Sequence, residues 1–175
     1  YLVADNYGSI YTGTYRINAI ASVNSLSKRA DTLTLNTLSS NNQGLKHINL
    51  SYITPLGYDG FKINTSISRT NYEIGKEFES QNIQGDSISF NLGVSYPIVK
   101  QRVYEISTSV NYSYQKINDS SIRENKEKTL NSIKVSLDDI LQTSYFNKPG
   151  LLNSSLYITM GNLSLDTVDS ISNDT

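Results

Sequence analysis

The chain has no cysteine and no tryptophan, and it has one methionine and one histidine in 175 residues. Without cysteine there is neither a disulfide framework nor a thiolate metal site. A single histidine leaves no His-rich metal set and no signposted nucleophilic triad, so His47 reads as an ordinary strand residue. Charge is scarce at 18%, with 15 basic against 16 acidic residues and a net charge of -1. Nucleic-acid binding needs clustered Lys and Arg to neutralise phosphates, so no nucleic-acid partner is expected. Apolar residues make up 37% of the chain, against roughly 45–50% in soluble domains when glycine is also counted. No apolar run reaches the ~18 residues of a transmembrane helix. No signal peptide is present, and the chain starts at Tyr1 without a methionine, as if cut from a longer protein. The length suits one domain or one piece of a larger one.

Ser, Asn and Thr fill the gap, with 13 Tyr against 4 Phe. Disordered chains are also poor in apolar residues, but they are usually rich in charge and short of aromatics. The mixture here suits strands with one face on lipid and the other on a polar, wet interior. Residues 11–24 show the pattern: Tyr11, Gly13, Tyr15, Ile17, Ala19, Ala21 and Val23 alternate with Thr12, Thr14, Arg16, Asn18, Ile20 and Ser22. A period of two is the signature of an extended strand. Residues 1–6 form a short strand entering a turn at Gly8. Further strands are expected at 32–39, with Leu33 and Leu35 on one face, and at 45–54, with Ile48, Leu50 and Tyr52 opposing His47, Asn49 and Ser51. Residues 61–74 follow, with a slip of parity near 69–72 that suggests a bulge. The cleanest alternation is at 87–96, and strands at 103–115, 132–141 and 151–165 complete a set of about nine. Shorter turns at 55–60, 97–102 and 147–150 alternate with longer polar stretches at 75–86, 116–129 and from 166 onward. In bacterial barrels the short turns are periplasmic and the longer loops extracellular, which gives an orientation. Tyr52, Tyr96, Tyr112 and Tyr114 are expected near strand ends, where aromatic girdles belong.

Candidate chemistry is thin. Asp138 and Asp139 suggest metal or acid–base work, but adjacent strand residues face opposite ways, which favours a lumenal or strand-end role. The mixed-sign run 123–128 reads as a solvated loop. Gly8 and Gly13 lack the context of a phosphate loop and read as turn and close-packing positions. Arg16 lies on the polar face, either in a salt bridge or lining a channel. Triplets such as Asn49-Leu50-Ser51 arise readily in Asn- and Ser-rich sequence. No catalytic, cofactor-binding or metal residue is expected.

Several segments are similar to a known family. Residues 5–9 (DNYGS), then Tyr11-Thr12-Gly13 and Tyr15-Arg16, resemble the barrel start of the haemolysin secretion/activation proteins, the ShlB/FhaC/HecB family of two-partner secretion. SYITPLGYDGFKI (51–63) resembles the family's Y-x-x-P-L-G-x-D-G turn, and GDSISFNLGVSYPIVKQR (85–102) its following G-x-S segment. Where the family has Pro-Leu-Gly-x-x-Asp, residues 25–31 read SLSKRAD and keep the terminal Asp31. The resemblance covers most of 5–165, in order. It implies an all-β fold, an antiparallel transmembrane β-barrel of sixteen strands preceded by two periplasmic POTRA domains, of which residues 1–175 would hold the first nine strands or so. It also implies passive export of an unfolded exoprotein of haemolysin or adhesin type through the cell outer membrane, with lipid around the barrel and no nucleotide hydrolysis. The family's Val-Arg-Gly-Phe/Tyr loop motif lies later, so no substrate-binding residue is carried onto this stretch. Rival readings are another outer-membrane barrel (a porin or the barrel-assembly insertase) and a secreted β-rich adhesin. A solenoid of the latter kind would show a fixed repeat of roughly 20 to 30 residues, whereas the strands here are irregularly spaced.

Overall fold

The computed structural model describes residues 1–122, 125–145 and 148–168. Among them every regular element is a strand apart from two short 3-10 turns, Asn41–Gln43 and Lys76–Gln81. The strands are β1 (Leu2–Asp5), β2 (Arg16–Asn24), β3 (Thr32–Ser40), β4 (Leu45–Leu56), β5 (Phe61–Glu73), β6 (Gln84–Lys100), β7 (Tyr104–Ser120), β8 (Asn125–Tyr145) and β9 (Lys148–Val168). They form one nine-stranded sheet in sequence order, and every neighbouring pair is antiparallel.

A period-two sequence explains why this sheet forms and why it has two unlike faces. Following one cross-strand row, Val23, Leu33, Tyr52 and Thr65 lead to Leu92, Tyr112, Ile133 and Met160. This apolar face will be called outward. The adjacent row on the opposite face is built from Ser, Thr, Asn and Gly, and will be called inward. No hydrophobic side chain is buried among the described residues. The surface is 12850 Å² for a 19.5 kDa chain, whereas a compact protein of that mass exposes about 8500 Å². A sheet with no second layer has nothing of its own to cover Leu92, Val94, Val110 or Val135. Strands β6 and β7 are 17 residues each and β8 and β9 are 21 each, beyond the ~9–11 that a tilted strand needs to cross a bilayer.

Several details differ from the sequence-based expectations. Residues 11–15 are not strand: β2 begins at Arg16. Their peptide groups bond elsewhere, with Gly75 donating to the Tyr11 carbonyl at 3.0 Å and Gly8 to the Thr14 carbonyl at 2.9 Å. The stretch 116–129 is not a long loop, because β7 continues to Ser120 and β8 starts at Asn125. Of the run 123–128, Arg123 and Glu124 lie outside the described residues and the rest is strand. Opposite charges there are paired across the hairpin, as described below. No bulge occurs at 69–72, where the registers with β4 and β6 run on evenly; the slip lies between Pro97 and Val99. Proline has no N–H to give the ladder, so this is where an irregularity costs least. The expected turn at 97–102 accordingly shrinks to 101–103. Lastly, Tyr112 and Tyr114 sit in mid-strand because β7 is longer than 103–115. All four girdle tyrosines nevertheless face outward, Tyr96 against Phe61 with centroids 6.4 Å apart. Asn147, in the expected turn 147–150, is outside the described residues, while Pro149 and Gly150 belong to β9.

Candidate functional site

The inward face of the sheet is the candidate site, and its character follows from side-chain size and charge. One row crosses the sheet from Ser22 through Thr34, Ser51 and Ser66. It continues through Asn91, Ser113, Ser132 and Gly161. None of these side chains is charged and none is larger than asparagine. They bond to one another along the row: Ser22 Oγ meets Thr34 Oγ1 at 3.1 Å, and Asn91 Nδ2 donates to Ser66 Oγ at 3.2 Å. Next to it, Gly93 lies between Asn64 and Asn111, whose Oδ1 atoms would stand 2.0 and 2.1 Å from a Cβ at that position. Glycine here lets two amides close over the strand.

Inward charges lie outside this row, with Lys134 in the row next to it across from Asn111, and are mostly engaged. Asp5 accepts from Arg16 Nη2 at 2.9 Å, which answers the question posed by Arg16 in favour of an ion pair. Lys134 Nζ lies 4.3 Å from the centroid of the Tyr157 ring. Asp138 accepts from Ser136 at 2.9 Å and from Ser155 at 2.6 Å. Asp139 is on the outward face, in a row with Ile106 and Ser154, so the two neighbouring carboxylates do not converge. His47 Nδ1 shares a hydrogen bond of 2.8 Å with Thr70 Oγ1. Among the described residues no three acidic, His or Cys side chains gather as a metal set.

Connections at the two ends of the strands differ. At one end, residues 6–15 fold over the polar-face side of β3, where the Thr12 carbonyl accepts from Ser40 Oγ and the Tyr15 amide donates to Asn41 Oδ1 at 3.0 Å. Gly8, Gly13 and Gly44 are the points of contact: a Cβ on Gly44 would stand 2.4 Å from the Thr12 carbonyl oxygen. The close-packing role expected of Gly8 and Gly13 is therefore observed. Near the same end the Tyr72 ring covers Gly85, and its hydroxyl donates to Asp119 at 2.6 Å.

At the other end, the turn 25–31 is organised by Asp31, which is 0% exposed. Its Oδ1 accepts from the Ser27 amide at 3.0 Å and the Ser27 hydroxyl at 2.7 Å. Burial pushes this carboxyl up, but the bonds from Ser27, its own amide and the Tyr52 hydroxyl outweigh that and hold it at about 2. The sequence singled Asp31 out only as a surviving motif residue; its role as the turn's acceptor had no sequence signal beyond that.

A long antiparallel meander with one apolar and one small-polar face is the wall of a transmembrane β-barrel. Residues 1–163 match the haemolysin secretion/activation protein ShlB/FhaC/HecB family, and the chain belongs to it. Members of this family are outer-membrane transporters. The chain is 28% identical over 169 residues to the heme/hemopexin transporter protein HuxB of Haemophilus influenzae strain 86-028NP, covering 95% of this chain and 29% of that protein. HuxB of strain ATCC 51907 is 27% identical over the same span. In structure the chain is similar to CdiB from Escherichia coli, with TM-score 0.74 and 19% identity over 90% of this chain and 30% of CdiB. CdiB from Acinetobacter baumannii gives TM-score 0.69 and 16% identity over 85% of this chain. The nine strands thus have the fold of part of the CdiB barrel, and the chain spans under a third of the length of these relatives.

Proposed function

We propose that residues 1–175 are part of an outer-membrane barrel that conducts an unfolded exoprotein to the cell surface in two-partner secretion, with the inward face lining the path. The observation that carries this reading is the uncharged row from Ser22 to Gly161. A passing polypeptide brings basic, acidic and apolar segments in turn, and fixed lumenal charges would hold one sign and repel the other. Small hydroxyls and amides offer weak, sign-neutral hydrogen bonds to any extended backbone. The outward face meets lipid, the inward face a hydrated lumen. No catalytic step is assigned, and the movement is passive. HuxB is named for haem and haemopexin; for this chain the cargo is specified only as an exoprotein of haemolysin or adhesin type.

Orientation follows from the connections: 6–15 and 74–83 outside, 25–31, 57–60 and 101–103 on the periplasmic side. The test uses cells making the full-length parent and its exoprotein. Ser66, Asn91 and Ser113 are replaced by Arg together, and protease-accessible exoprotein on intact cells is measured. Single Cys residues at Asn82 and Asp59 report insertion through an impermeant maleimide. Export should collapse while Asn82 alone is labelled. Undiminished export would sink the lumenal assignment, and equal labelling of both positions would favour a secreted adhesin.

A further inference from the structure

The apolar outward face ends in charge on the side of the 74–83 connection. Arg69 of β5 and Lys116 of β7 flank Ile88 in one outward row. The next row holds Lys46, Asn71, Asp86, Asn118 and Glu127. With strands about 4.8 Å apart, Arg69 and Lys116 stand about 10 Å apart along the rim. Arg69 Nε meets Asp86 at 2.8 Å and Lys116 Nζ meets Glu127 at 2.6 Å. Both cations stay in reach of the surroundings, with side chains 59% and 39% exposed. A groove lined by Lys46, Asn71, Glu73, Asp86 and Asn118 runs alongside. At the opposite rim the outward row beside Ile106 is Asp139 and Ser154, and Lys148 is the outward basic residue of the strands there, whereas Lys46, Arg69 and Lys116 gather at the first boundary.

We propose that this belt docks the phosphates of a phosphorylated glycolipid in the outer leaflet, with Arg69 and Lys116 as the principal contacts. The proposal rests on the outer-membrane reading above. Arg69 and Lys116, in the row of Ile88 and one row beyond Phe90, sit at headgroup level, where acyl chains cover the apolar face below. That continuity selects a lipid headgroup over a soluble anion. Exposed ion pairs are weakly held and exchange partners readily. A guanidinium engaged through Nε still presents donors to a phosphate, and basic clusters at the membrane boundary recognise anionic headgroups by the same chemistry.

The test reconstitutes the full-length protein in phosphatidylcholine vesicles containing either a bis-phosphorylated glycolipid or its dephosphorylated form. Native mass spectrometry then counts the glycolipid retained on extraction. The wild type should retain the phosphorylated form and not the other. Arg69→Gln with Lys116→Gln should lose that retention, Arg69→Lys with Lys116→Arg should restore it, and Lys28→Gln at the other end should leave it unchanged. Equal retention of both glycolipids, or full retention by the Gln pair, overturns the proposal. Heat-modifiable migration of each variant on gels reports insertion separately. A wild type that never inserts would refute the barrel reading itself.

Discussion

At the scale of single residues, the structure is held by polar contacts rather than by a core, and Asp31 is the clearest case. Ser25, Lys28 and Ala30 all have left-handed backbone, with φ of 57°, 62° and 57°, a conformation that costs side-chain-bearing residues roughly 1–2 kcal/mol each. The Asp31 carboxylate and the bond from the Ser25 amide to the Asp31 carbonyl, 2.6 Å, hold the turn in spite of this. The carboxyl sits at about 2 in the fold against 3.8 ordinarily. A depressed value stabilises the fold above the ordinary one, and this contribution is lost as pH falls through the interval from 3.8 to about 2. Thermal unfolding of the full-length protein in detergent should therefore show an acid decline in that window that Asp31→Asn flattens, the variant being less stable at neutral pH. Identical profiles would remove Asp31 from this role. Ala30→Gly should instead stabilise by about 1 kcal/mol, since glycine adopts φ near 57° without strain. Gly85→Ala is expected to destabilise by about 1–2 kcal/mol in the same assay: its Cβ would lie 2.3 Å from the Tyr72 ring, which Asp119 pins.

At the scale of elements, the β7–β8 hairpin shows why part of the fold escapes sequence reading. Residues 116–129 carry so much charge that they resemble a loop, yet 116–120 and 125–129 are strand. Lys116 faces Glu127 outward, while Asp119 accepts from Lys128 Nζ at 2.9 Å inward. Each pair is long-range in partner and short in sequence, and only the register reveals it. Alternation was legible wherever apolar residues marked one face, as in 87–96. It was illegible where both faces became polar, and misleading at 11–15, where parity continued but the hydrogen-bond partners were loops. A charge swap tests the pairing. Lys128→Asp alone places two carboxylates together and should lower stability by about 0.5–1 kcal/mol and speed amide exchange at 117–120, whereas adding Asp119→Lys should restore both in part, because Tyr72 then loses its acceptor. If the double variant is no better than the single, the pair does not hold the hairpin extended.

At the scale of the whole molecule, the two faces make opposite demands on the same substitution. Family membership, the nine-strand count and the sidedness of Ile17, Leu50, Leu92 and Val110 were readable because a membrane barrel repeats its simplest rule in every strand. The neutral inward row was only partly readable, because it exists across strands and depends on a register that no local pattern specifies. Val94, Val110 and Val135 share one outward row, and inward Asn91 and Ser113 share another. If the outward face meets hydrocarbon, Val110→Arg should cost roughly 2–4 kcal/mol, falling toward zero for substitutions near the interfaces. Asn91→Arg, on a hydrated lumen, should cost well under 1 kcal/mol while disturbing conduction. Reversible urea unfolding of the full-length protein in phosphatidylcholine vesicles measures both. Equal costs would mean that water, or another protein surface, covers the outward face. A large penalty confined to Val110 would tie the missing core to its physical cause, since lipid then supplies on one face the burial that a soluble domain supplies from within.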